Sequence, residues 1–366
     1  MKFVDVNPYF FPYKGGIERR MDDLARRLAA RGHDVTILTA QLPGTPEEEK
    51  SEAGYRIVRV KSKFLNIYNP PYVTSSGVLE TLNSLDADVA NYNYRWAPSW
   101  NKDMAKYDGP KLFTVHNMWN EGIGIEAKIS SINDKRFIKK VLPSFSHLVC
   151  VSRYVQDSTV ALGFPREMTS FIPCGLSEDP TPNTSPEGDY ILSLGRIVKT
   201  KGLKYMVEAM KDVDSKLIIC GKGPEAKNLE KQISSLGLQD KVVMRGYVPE
   251  DEKNSLMDGC RFFVMPSLFE SFGLAAIELM SHGRPIVCTN VNGLPATVGD
   301  GGITVDPADP KALAEAMNRL LKDDGLRKEM GEKALEYAKS YSYDRFMPKY
   351  EGILEAVAQG KTPEPD

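Results

Sequence analysis

Short β-branched runs alternate with longer amphipathic ones through this chain, and the alternation stops once and then restarts. Phe3–Val6 reads as a strand. A glycine pair, Gly15 and Gly16, then opens a run from Ile17 to Arg31 with Leu24 and Leu28 at helical spacing, and Gly32 supplies a C-cap before the strand 33–39. The rhythm repeats with strands expected at 55–60, 88–91, 111–115 and 147–151, ending near Phe171-Ile172-Pro173. Residues 179–188 contain no apolar side chain and are rich in proline, which forbids regular structure. The pattern resumes with strands at 190–194, 216–220, 242–245, 262–265 and 285–289. Strands separated by helix-length segments form parallel sheets covered by helices. The expected fold class is therefore α/β with two Rossmann-like doubly wound domains: 1–178, a linker at 179–189, and 190–342. A helix at 343–360 is expected to return to the first domain, ahead of a disordered tail at 361–366. Open sheets of this kind bind ligands beyond the carboxyl ends of their strands, so a cleft between the two is expected to hold the site.

A length of 366 residues suits two cores, and a formal net charge of −2 with 26% charged residues argues against nucleic acid as a partner. The five cysteines are scattered, three of them inside strand-like runs, and the four histidines show no ligand spacing, so neither disulfides nor a metal are expected. Buried thiols, no signal peptide and no spanning segment together predict a cytoplasmic protein.

Three constellations carry the chemistry. The segment Met265–Met280 leaves a strand, turns and enters a helix, with Glu270 before the helix and Glu278 within it. Backbone N–H groups of Phe272, Gly273 and Leu274 at that helix start suit a diphosphate, and the two carboxylates suit sugar and ribose hydroxyls. A cap-region charge and a solvated helix face are the plainer reading of the same pair. The second is Gly195-Arg196 through Lys201-Gly202, where two cations meet a glycine-bounded turn past a strand end and can grip phosphate oxygens. The third is Gly15-Gly16, where the backbone can come close to a phosphate or sugar. The spacing is not G-x-G-x-x-G, which argues against a dinucleotide-dependent dehydrogenase. His116, just beyond a strand, is placed to donate to a donor hydroxyl or to help orient it, although a lone histidine is more often structural.

In this order the segments resemble the retaining glycosyltransferase family 4, whose architecture, GT-B, is two facing Rossmann-like domains. The resemblance runs nearly end to end. Its carriers are Gly15-Gly16-Ile17-Glu18, the run 31–39, His116-Asn117, Val151-Ser152, Ile172–Gly175, Gly195-Arg196 with Lys201-Gly202, Gly221–Pro224, the E-x7-E pair Glu270 and Glu278, and the run 302–310. It implies that Arg196 and Lys201 bind the diphosphate of a nucleotide-sugar donor and that Glu278 takes the ribose. Glu270 and the Phe272–Leu274 backbone would take the transferred sugar. Gly221, Gly223, Tyr247 and Val248 would flank the base, and Gly15, Gly16 and His116 would complete the site, with Glu270, His116, Arg196 and Lys201 as the catalytic set. No cofactor beyond the donor itself is implied. Departures stand at Asn91–Tyr94, where relatives carry a histidine-rich stretch on the acceptor side, and at Cys174 and Ala296.

The acceptor is open to a glycan, a lipid-linked sugar or a small molecule. Aromatic loops at Tyr9–Tyr13 and Phe64–Tyr72 suit stacking or lipid contact. Lys128, Lys135, Arg136, Lys139 and Lys140, interleaved with Ile129, Ile132, Phe137 and Val141, suit peripheral contact with a membrane. An epimerase and a non-catalytic nucleotide-sugar-binding subunit are the competing functions.

Overall fold

The structure, a computed structural model, describes residues 1–66, 71–120 and 125–364. Tyr68 of the second aromatic loop and residues 365 and 366 of the tail lie outside them. The chain divides into two compact units, Met1–Pro173 with Phe346–Asp366, and Cys174–Arg345.

The first unit is built on an eight-stranded sheet. Its order is Thr169–Phe171, His147–Cys150, Lys111–Val115, Val89–Tyr92, Lys2–Val6, Asp34–Ala40, Arg56–Val60 and Glu48–Lys50. Every pairing is parallel except the last, an antiparallel edge. Lys111–Val115 is buried along its whole length, as a strand covered on both faces must be. The helix Gly16–Ala30 covers the sheet with Met21, Leu24 and Leu28, all inaccessible, and ends where Gly32 takes a φ of +88°. The helix Tyr343–Ala358 contributes Tyr350, whose ring meets Phe3 edge-on at 6.5 Å.

The second unit has a six-stranded parallel sheet ordered Val242–Gly246, Lys216–Cys220, Tyr190–Leu194, Phe263–Met265, Ile286–Thr289 and Gly302–Val305. Residues 179–189, expected as a linker, belong to this unit. Asn183 Nδ2 donates to the carbonyls of Asp258 at 3.0 Å and His282 at 2.9 Å. Glu187 accepts from Arg284 at 2.9 Å and from Arg327 at 2.7 Å. The contact division instead falls between Pro173 and Cys174. All five cysteines are buried and none is in a disulfide, and no helix among the described residues is long and apolar enough to cross a membrane.

Candidate active site

In the second unit the strand Tyr190–Leu194 lies between Lys216–Cys220 and Phe263–Met265, so the three loops beyond their carboxyl ends are neighbours. Backbone hydrogen bonds stitch them together. Gly195 N donates to Cys220 O at 3.1 Å, Ile197 N to Lys222 O at 2.9 Å, Gly221 N to Gly246 O at 2.7 Å and Leu268 N to Thr200 O at 2.7 Å. The glycines are required by that stitching. A Cβ on Gly223 would stand 2.1 Å from Ile197 O, and one on Gly202 2.0 Å from Pro266 O. Both distances are far inside van der Waals contact.

The stitched loops line a pocket that includes Ser193, Gly195, Arg196, Lys201, Cys220 and Ser267. Lys201 Nζ donates to Glu270 Oε2 with both side chains largely buried, joining two motifs 69 residues apart in sequence. Arg196 is exposed, and no ion pair is formed by it among the described residues. Its guanidinium is therefore available to an anion. Ser267, not foreseen from the sequence, is fully buried, and its hydroxyl has no partner among the described residues.

Gly273, at φ +94°, caps the helix Leu274–Met280. The N–H groups of Phe272, Gly273 and Leu274 donate to no backbone carbonyl among the described residues. The Phe272 side chain is core, edge-on to Tyr341 at 5.7 Å, so only its backbone serves the site. Thr297 accounts for that backbone's carbonyl side, its hydroxyl donating to Phe272 O at 2.5 Å. Glu278 accepts from Lys253 Nζ at 2.5 Å, and the same ammonium lies 2.6 Å from Glu250. Lys253 was missed by sequence reasoning because it stands in an ordinary-looking acidic helix. Tyr247 is 64% exposed, with Lys222 Nζ 5.6 Å from its ring centroid, and Val248 is half-buried beside it.

In the first unit His116 and Asn117 follow the strand Lys111–Val115. Arg95 fixes the segment beyond them: it donates to Asn117 O at 3.2 Å and pairs with the buried Asp134 at 2.7 Å. Its guanidinium sits between Trp96 and Trp119, at 4.3 and 4.7 Å from their centroids. Burial, reinforced by the Arg20 and Arg95 guanidiniums, holds the His116 imidazole well below its ordinary pKa, so the ring is neutral. Of the first aromatic loop, Tyr9 and Phe10 are core residues and are not available for stacking.

Gly15 is the N-cap of the helix Gly16–Ala30, and a Cβ there would stand 2.4 Å from Glu18 Oε2. Glu18 is 5% exposed, and burial pushes its carboxyl up to about 7 against the lowering influence of the backbone and of Asn7. Asp5, 1% exposed, is pushed up to about 6 for the same reason. A carboxyl whose folded pKa is raised binds extra protons in the folded state. Its contribution is therefore full below the unfolded value of 4.5 and lost as pH climbs to about 7. Glu18→Gln is expected to leave stability unchanged near pH 4.5 and to raise it near pH 8 by no more than about 3 kcal/mol. Urea unfolding at both pH values measures this. Because Asp5 still titrates, the slope is reduced and does not vanish.

Comparison with known proteins follows the same division. Residues 14–179 match the model of Glycosyltransferase Family 4, and residues 178–337 that of Glycosyl transferases group 1. An uncharacterized glycosyltransferase of Methanocaldococcus jannaschii is 27% identical over 95% of this chain and 97% of its own length. The N-acetyl-alpha-D-glucosaminyl L-malate synthase of Bacillus anthracis is 26% identical over 95% of each chain. The solved sucrose-phosphate synthase of Thermosynechococcus elongatus superposes with a TM-score of 0.80 at 20% identity, covering 98% of this chain and all of that one.

Proposed function

The chain belongs to the glycosyltransferases of family 4, group 1, which use nucleotide-sugar donors, and from that premise we propose a retaining, metal-independent transfer of a hexose. The observation that carries the reading is the pocket lined by Lys201 and by Arg196, which forms no ion pair among the described residues, with Glu270 reaching Lys201 beside the stitched glycine loops. As the glycosidic bond lengthens, negative charge grows on the leaving diphosphate. Arg196 and Lys201 neutralise it, and the open N–H groups at Phe272–Leu274 add fixed dipoles. Glu270, held by Lys201, orients the sugar and does not attack it. The acceptor oxygen bonds to the anomeric carbon on the face that the departing phosphate vacates and gives its proton to the leaving phosphate oxygen, so the anomeric configuration is retained. Glu278, which accepts from Lys253, is assigned to the ribose hydroxyls, and Tyr247 offers a ring face to the base.

A thermal-shift panel of nucleoside diphosphates and their hexose conjugates tests the reading. A ligand at 100 times its Kd raises stability by about 2.7 kcal/mol, so one base and one sugar should stand out. A panel without a response, together with no transfer or donor hydrolysis, would count against it. Hydrolysis without transfer would leave the enzyme and narrow the acceptor.

We also propose that the protein is cytoplasmic and meets the membrane surface at the helix Ile125–Lys140. Ile129 and Ile132 are 64% and 56% exposed, and Lys128, Lys135, Arg136, Lys139 and Lys140 are exposed with them, while Phe137 and Val141 are buried. Apolar tips beside five cations match anionic headgroups, at about 1 kcal/mol per basic residue. Co-sedimentation is expected with phosphatidylserine-containing vesicles and not with neutral ones. Glutamine at Lys135, Arg136, Lys139 and Lys140 should abolish it, and equal binding to both lipids would refute the contact. A lipid-linked acceptor fits such a surface, beside a glycan or a small molecule.

A further inference from the structure

Within the first unit a carboxylate and a backbone carbonyl fix the orientation of a network of side-chain amides. Asn91 Nδ2 donates to Asp5 Oδ1 at 2.8 Å, and the amide so turned presents Oδ1 to the Thr114 hydroxyl, which donates to it at 2.8 Å. Asn93 Nδ2 also donates to Asp5 Oδ1, at 2.5 Å, and toward Val6 O at 3.3 Å. A backbone carbonyl can only accept, so the orientation of the Asn93 amide is fixed by chemistry. Its Oδ1 therefore faces the other way, receiving Asn91 Nδ2 at 3.1 Å and meeting His116 Nε2 at 2.8 Å. An amide oxygen has no hydrogen to give. The His116 nitrogen facing it must carry one.

We propose that Asn93, anchored on Asp5, is a positioning residue that fixes His116 as the Nε2–H tautomer and so presents Nδ1 as a hydrogen-bond acceptor for a substrate hydroxyl. Among the described residues nothing bonds to Nδ1. The ring is neutral, so that nitrogen holds a lone pair. In this tautomer the nitrogen offered to the substrate accepts, whereas the sequence suggested that His116 donates to a hydroxyl or helps to orient it. A ring that only accepts at this place favours an O–H over a carbonyl or amide oxygen, because the wrong partner leaves two lone pairs opposed. Asp5 is the anchor because it ends the chain as a pure acceptor of both amides.

The substrate-facing clause rests on the glycosyltransferase reading, whereas the tautomer does not, and the experiment separates them. Ring nitrogens of histidine labelled with nitrogen-15 are read by long-range proton correlation in the full chain at pH 7, with His116→Gln identifying the signals. The expected pattern for His116 is neutral, with hydrogen on Nε2 alone. Hydrogen on Nδ1, or a charged ring, would overturn the proposal whether or not any variant folds. Asn93→Ala should release the ring into a mixture of tautomers, and an unchanged pattern in the folded variant would remove Asn93's role. With the nucleotide sugar that gives turnover in the wild type, the same variant should raise KM or lower kcat by about tenfold. Wild-type kinetics from a scrambled ring would refute the substrate contact. Absence of wild-type turnover with every sugar nucleotide would instead tell against the function.

Discussion

Gly221→Ala is expected to lower the stability of the chain by about 3 to 5 kcal/mol and to abolish measurable donor binding. Two penalties coincide there. The backbone has a φ of +145°, where a side chain is strained, and the new Cβ would stand 1.8 Å from Gly195 O. The carbonyl it strikes is fixed in the loop that carries Arg196, and Gly221 N itself holds Gly246 O at 2.7 Å. Relief of the clash must therefore separate the loops that line the pocket. Gly237→Ala is the control. It shares the positive φ, +68°, but has nothing within 4 Å of its Cβ, so it should cost only about 1 to 2 kcal/mol and leave donor binding intact. Urea denaturation and donor titration of both variants make the measurement. Equal costs would mean that conformation, not collision, accounts for the glycine.

That glycine also shows where legibility ends. The sequence places Gly221 and Gly223 in a turn after a strand, but the reason they are glycine lies in the loop at Gly195–Ile197, which no spacing rule connects to them. The alternation of strands and helices was legible because burial on both faces imposes apolar runs at Lys111–Val115 and Lys216–Cys220. The strand Glu48–Lys50 was not, because an exposed edge strand carries charged residues that read as loop, and neither was the two-stranded pair Ser62–Leu65 with Tyr72–Ser75, whose four-residue strands are too short to show a period. Residues 179–189 were misleading in the opposite sense. Proline and the absence of apolar side chains do signal irregular backbone, but Glu187 anchors the segment through Arg284 and Arg327, and such polar anchors leave no periodic trace. Glu270 and Lys201 were each legible as motif residues. Their pairing, like that of Glu278 with Lys253, depends on the strand order. The Asp5–Asn93–His116 network was hidden for a related reason: its members stand on or just beyond three strands, Lys2–Val6, Val89–Tyr92 and Lys111–Val115, that only the sheet order makes neighbours.

Lys201→Met is expected to reduce kcat by about a hundredfold while changing stability by no more than about 1 kcal/mol. Its partner Glu270 is 16% exposed at the side chain, so water can take over part of the solvation that the ammonium supplied. The transition state has no such substitute. On the proposed reading, charge that grows on the diphosphate as the glycosidic bond breaks is met inside the pocket lined by Gly195, Arg196 and Ser267, where a fixed cation does more than mobile water. Arg196→Ala should behave differently. Among the described residues no side chain pairs with Arg196 to orient it, so part of its effect should fall on ground-state binding, and KM should rise as kcat falls. Glu270→Gln separates the two roles of the pair. If the carboxylate orients the sugar, the amide should lower kcat at saturating donor, and if it only holds Lys201, the double variant with Lys201→Met should be no worse than Lys201→Met alone. Steady-state kinetics on the four proteins, with unfolding curves alongside, decide among these. Full activity in Lys201→Met would remove it from the chemistry, and a loss of activity matched by a loss of fold would show that the Lys201–Glu270 pair is structural.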